Sequence, residues 1–119
     1  MNGCCRNKKV REVEYMASMY HEPVEDLPQQ TRDITRAIQS MKEELEAIDW
    51  YNQRAASTQD QTLKNLLIHN RDEEIEHATM LMEWLRRLMP EFDEEMRTYL
   101  FTEGPLETIE EAGGEGAAE

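Results

Sequence analysis

The chain has 119 residues, of which 26 are acidic and 13 basic, for a net charge of −13. Such an acidic excess argues against nucleic acid and anionic membrane as partners and in favour of cations. A chain this short is one domain at most, and its core is small enough to call for a partner chain.

No apolar run approaches the roughly 18–20 residues of a membrane span, and no signal-peptide apolar region stands near the N-terminus. The expected location is the cytoplasm. Cys4 and Cys5 are adjacent, with no CxxC and no nearby His, so they indicate neither zinc nor an oxidising compartment.

Residues 1–20 are basic (Arg6, Lys8, Lys9, Arg11) in an otherwise acidic protein and carry no sustained apolar period, so they are expected to be disordered. Met16-Ala17-Ser18 is the expected natural start. An extended entry follows from His21, and Pro28 suits the first turn of a helix.

Ile34, Ile38, Met41, Leu45, Ile48 and Ala55 recur at helical spacing and predict a first helix from about Gln29 to about Ala56. Ser57-Thr58-Gln59-Asp60 reads as the turn. A second helix is expected from about Gln61 to Leu88, with Leu63, Leu66, Leu67, Leu81, Trp84, Leu85 and Leu88 on its apolar face, and Pro90 ends it. Phe92, Met96, Tyr99 and Leu100 predict a short third helix stopped by Gly104-Pro105. Residues 106–119 form an acidic Glu/Gly/Ala-rich tail expected to be disordered.

The fold class is therefore all-α, with a domain over residues 21–105. Each long helix is about 42 Å at 1.5 Å per residue. A tight turn forces them into an antiparallel hairpin. A hairpin with one short extra helix cannot cover both apolar faces, so the chain should dimerise into a four-helix bundle.

Glu73-Glu74-Ile75-Glu76-His77 supplies the chemical signal. Glu74 and His77 are three apart and share one helix face. Glu-x-x-His on one helix and a lone Glu on another is half of a di-metal carboxylate site, which needs two of each. Glu44 is the candidate lone Glu. It falls in line with Ala37, Met41, Ile48, Tyr51 and Ala55, while Glu74 and His77 fall in line with Leu63, Leu67, Asn70, Leu81, Trp84 and Leu88. All three face inward, and no Lys or Arg accompanies them. Burying unpaired carboxylates is costly, so divalent metal shared between two chains is favoured over a core ion pair. Glu43, Glu46 and Trp50 cluster on another face, as do His69, Glu73 and Glu76. Each group offers a weaker cation site, with solvated charge the plainer alternative. Met80, Met82 and Met89 read as packing.

The segments Glu43-Glu44-Leu45-Glu46-Ala47-Ile48-Asp49-Trp50-Tyr51, His69-Asn70-Arg71-Asp72-Glu73-Glu74-Ile75-Glu76-His77, Glu83-Trp84-Leu85-Arg86-Arg87 and Arg97-Thr98-Tyr99-Leu100-Phe101-Thr102-Glu103-Gly104-Pro105 closely resemble the encapsulated ferritins. The resemblance runs from about His21 to Pro105. It implies a half-ferritin whose homodimer forms a ferroxidase centre and whose dimers build a ring-shaped decamer. It further implies that the decamer is housed in an encapsulin nanocompartment where iron is mineralised. By motif position it implies Glu44, Glu74 and His77 as di-iron ligands, with Tyr51 beside them. Glu43, Glu46 and Trp50 become an entry site, and His69, Glu73 and Glu76 a peripheral site, which calcium or another divalent cation can occupy. Family members loaded into shells end in a short apolar–basic targeting peptide, and Glu110 to Glu119 contain none.

The expected reaction is oxidation of Fe(II) by O2, since imidazole with carboxylates suits iron or manganese better than magnesium or calcium. Bridging Glu74 and terminal Glu44 would favour Fe(III), and a neutral His77 would complete the set. Two rivals stand beside it: another di-metal enzyme, of peroxidase or manganese-catalase type, and a non-enzymatic helical dimerisation adaptor.

Overall fold

The computed structural model describes residues 8–11 and 19–110. Cys4, Cys5 and the expected start at Met16 lie outside these residues, as do most of the two stretches expected to be disordered. Within those stretches, residues 8–11 form one exposed helical turn and Leu106–Thr108 a short 3-10 turn. The latter forms because Pro105 presets its own φ at −65° and its carbonyl accepts from Thr108 N at 3.2 Å.

Among the described residues the fold is all-α, with helices α1 (Gln29–Ser57), α2 (Gln61–Leu88) and α3 (Pro90–Tyr99). None of them is long and apolar enough to cross a membrane. Local chemistry sets each boundary. Pro28 caps α1 with extended backbone, preceded by a 3-10 turn at Val24–Asp26 whose Val24 carbonyl accepts from Arg32. At the other end the Arg54 carbonyl accepts from Thr58 N at 3.0 Å, Thr58 Oγ1 at 2.6 Å and Ser57 Oγ at 3.2 Å. Asp60 then caps α2, its Oδ1 accepting from Leu63 N at 2.7 Å. Arg86 and Arg87 occupy the last turn of α2, where cations suit the helix dipole. Pro90 opens α3 at its first position, with Glu91 and Asp93 in the first turn. Phe101 at φ 59° and Gly104 at φ 98° turn the chain after α3; Phe101 carries the strain there and Gly104 does not.

The chain divides into two compact units, Met1–Leu81 and Met82–Glu119. In the first, α1 and α2 run antiparallel, and the buried residues are small: Ala37, Ala55 and Ala78. Asn52 and Arg71 tie the two helices, Arg71 Nη1 donating to Asn52 Oδ1 at 3.0 Å. Met41, Glu44, Ile48 and Tyr51 are half-buried along the same stripe of α1. The apolar faces are wider than the hairpin contact, and Leu45, Leu63, Leu66 and Ile75 stay exposed; Leu66 is 55 % accessible.

In the second unit Leu85 is the one large side chain fully buried among the described residues. Arg86 is the hub of an ion-pair network. Its Nη2 lies 2.6 Å from Glu83 Oε1 and its Nη1 pairs with Asp93, while Arg87 joins Glu83 and Arg97 joins Asp93. Hydrogen bonds from Arg86 and then Arg87 hold the Glu83 carboxyl down at about 2. Arg97, then Arg86, lower Asp93. Partial burial raises the Tyr99 phenol, and the charges of Glu110 and Glu95 add to that effect.

Candidate metal centre

Glu44 stands on α1, and Glu74 and His77 on α2, and the hairpin brings them together. His77 Nδ1 lies 3.4 Å from Glu74 Oε2 and 3.6 Å from Glu44 Oε2. One ligand atom from each lies within 4.8 Å of the others. Among the described residues this is the single group of three or more such donors close enough to hold a metal ion. The antiparallel register produces it: Glu74 and His77 share a face one turn apart, and Glu44 projects from the facing helix at their level.

The separations are informative in themselves. At 3.4 and 3.6 Å these contacts are poor hydrogen bonds. Donor atoms on a common metal, with bonds of about 2.1 Å near the tetrahedral angle, stand about 3.4 Å apart. Glu44 Oε2 is sealed from solvent and has no hydrogen-bond donor. An orphaned buried carboxylate oxygen costs about 1–3 kcal/mol, more when charged, and a cation removes that cost. Two hard oxygens and one imidazole nitrogen form a donor set suited to iron or manganese. The Glu44 and Glu74 side chains are 24 % and 25 % accessible and that of His77 44 %, so one chain leaves the centre open on one side.

The other candidates lie outside this group. Glu43 and Glu46 are exposed on α1, and Trp50 is 50 % accessible. His69 Nε2 is 3.6 Å from Glu73 Oε1, both exposed, and Glu76 is exposed. Neither set joins a three-donor group among the described residues.

Tyr51 is half-buried two helical turns from Glu44. Its ring and that of Trp50 both lie beneath the Arg54 guanidinium, at 5.7 and 5.9 Å from carbon to ring centroid. Sequence reading misses Arg54, although its spacing from Trp50 and Tyr51, four and three residues, is the signal that finds it.

Residues 19–103 match the EncFtn-like family model. An encapsulated ferritin-like protein of Rhodospirillum rubrum is 54 % identical over 99 residues, covering 82 % of this chain and 71 % of that protein. An encapsulin nanocompartment cargo protein, EncC, of Myxococcus xanthus is 37 % identical over 93 residues, 72 % of each. Among solved structures, a crystal structure of protein ne0167 from Nitrosomonas europaea is similar, with a TM-score of 0.71 and 56 % identity. It covers 73 % of this chain and 96 % of that one.

Proposed function

Because the chain belongs to the encapsulated-ferritin (EncFtn-like) family, we propose that it is a ferroxidase, oxidising Fe(II) with O2 at a centre that two copies of the chain complete. The observation that carries this reading is the sealed, unpartnered Glu44 Oε2 beside His77 and Glu74.

Charge and coordination both call for a second copy. One chain brings two carboxylates and one imidazole, so a pair brings four carboxylates and two imidazoles. Those four negative charges balance two Fe(II) ions. Three donors leave a metal under-coordinated, and a facing chain supplies the rest. The same docking would cover the exposed Leu63 and Leu66.

Fe(II) is the substrate, and the side chains bind and orient it. Glu74 would bridge two irons, with Glu44 and His77 as terminal ligands. His77 must be neutral to offer Nδ1, the nitrogen that faces both carboxylates. Two irons held about 3.5–4 Å apart can each give one electron to the same O2. Hard anionic oxygens then favour the ferric product. The net charge of −13 draws in cations.

Glu43, Glu46 and Trp50 act as an entry site on this reading, and His69, Glu73 and Glu76 as a peripheral one. A two-helix unit encloses no storage cavity of its own. The product would be mineralised within an encapsulin shell, the setting that the Myxococcus xanthus relative's name records for that protein, and dimers would assemble into a ring.

Anaerobic loading with Fe(II), followed by O2, tests the reaction. Ferric absorbance should rise with O2 consumption. Oxidation driven only by added peroxide would mark a peroxidase, and peroxide disproportionation with manganese a catalase.

A further inference from the structure

Arg54 stands apart from the other arginines of the hairpin and of α3, of which Arg32 is taken up by the Val24 carbonyl. Arg36, Arg71, Arg86, Arg87 and Arg97 each lie against a carboxylate. Among the described residues no carboxylate lies within ion-pair reach of Arg54, in a chain with twice as many acids as bases. Its guanidinium instead lies over two aromatic rings at once, those of Trp50 and Tyr51. The backbone makes this cheap: positions three and four residues apart stack on one helix face. Tyr51 is seven residues from Glu44, about 10 Å along the helix axis at 1.5 Å per residue.

We infer that Arg54 guards Trp50 and Tyr51 against one-electron oxidation, its fixed positive charge opposing the formation of a second positive charge on either ring. The inference rests on the proposed ferroxidase reading for its source of oxidant. Two Fe(II) and two protons reduce O2 to hydrogen peroxide and leave two Fe(III). A further Fe(II) reduces the peroxide to hydroxide and a hydroxyl radical, itself becoming Fe(III). A ring that gives one electron to that radical converts it to hydroxide and becomes a radical cation; the Tyr51 radical cation then passes its phenolic proton to water. A guanidinium over the π-face is attracted to the neutral ring and repelled by the ring cation, so electron loss is disfavoured in proportion to their Coulomb coupling. Arg54 touches no substrate and acts through the two rings.

The test has two arms, each run on wild type, Arg54→Leu and Arg54→Lys, with peptide mass spectrometry counting oxygen atoms added at Trp50 and Tyr51. Folding should survive both changes, because the contacts that end α1 use the Arg54 carbonyl and the side chain is exposed. In the first arm the protein turns over Fe(II) in air. In the second, metal-free protein is illuminated with riboflavin, whose excited state takes one electron from an aromatic ring. Arg54→Leu should raise oxidation of both rings several-fold in each arm, Trp84 should not change, and Arg54→Lys should stay close to wild type. Equal oxidation of wild type and Arg54→Leu in the riboflavin arm overturns the inference. So does Arg54→Lys behaving like Arg54→Leu, because charge is then not the agent. Failure of the wild type to form Fe(III) strikes the ferroxidase reading alone, since the riboflavin arm needs no iron.

Discussion

Glu44 on α1 and His77 on α2 face one another with Oε2 and Nδ1 3.6 Å apart, and that oxygen is sealed from solvent without a hydrogen-bond donor. A cation between the helices would resolve the arrangement, and without one that buried oxygen should cost the fold stability. Glu44→Gln removes the charge but keeps the shape, so the metal-free variant should melt no lower than the metal-free wild type. Anaerobic Fe(II) should raise the melting temperature of the wild type and leave Glu44→Gln unmoved, because a ligand stabilises only the state that binds it. Scanning calorimetry reads both.

On the proposed reading, activity should separate the ligands Glu44, Glu74 and His77 from the entry residues Glu43 and Glu46. Loss of a metal's outer-shell partner costs about 10–100-fold, so removing a ligand outright in Glu44→Ala, Glu74→Ala or His77→Ala should cost more than that in oxidation rate. Glu43→Ala and Glu46→Ala should instead change the rate of iron delivery, with activity and core iron content retained. Glu46→Ala is expected to be faster, because a transient cation site that holds its ion tightly slows passage. Stopped-flow ferric absorbance with parallel metal analysis checks this. Glu43→Ala or Glu46→Ala losing activity as completely as Glu44→Ala would erase the division.

Assembly should depend on the metal. In the proposed dimer, loss of iron would set four carboxylates against one another, and repulsion should weaken the pairing. Native mass spectrometry under chelation should show more monomer than with Fe(II), and an unchanged distribution would count against metal-linked pairing.

The ion-pair network of the second unit predicts an acid limit. Glu83 is held at about 2, below its ordinary 4.5. A carboxylate lowered by folding contributes stability that is fully present above its unfolded value and lost as pH falls through its folded one. Helicity followed by circular dichroism should therefore fall between about pH 4.5 and pH 2. Glu83→Gln should lose part of that dependence and start less stable at neutral pH, while Asp93, lowered by Arg97 and Arg86, keeps the rest.

Much of the fold is legible in the residues themselves. The apolar spacing and Pro90 fix α2 at Gln61–Leu88, as expected, while α1 extends one residue past Ala56 to Ser57 because Thr58 and Ser57 supply donors to the Arg54 carbonyl. The meeting of Glu44 with Glu74 and His77 is legible too, because all three fall in the inward lines of their helices. Periodicity does not tell how much of a stripe the neighbouring helix covers. Leu63 and Trp84, expected on the apolar face, remain exposed, while Ala78, which carries little hydrophobic signal, is buried. The Arg86 hub and the Arg54 stack also escape it, since a sequence shows that a surface arginine has several partners within a turn and not which it takes.

Crystals of the protein loaded anaerobically with Fe(II), recorded on both sides of the iron absorption edge, test the central claim most directly. Two iron peaks about 3.5–4 Å apart, each between Glu44, Glu74 and His77 side chains drawn from two chains, are the expected result. No anomalous peak at this cluster, or an iron ligated wholly within one chain, would contradict it.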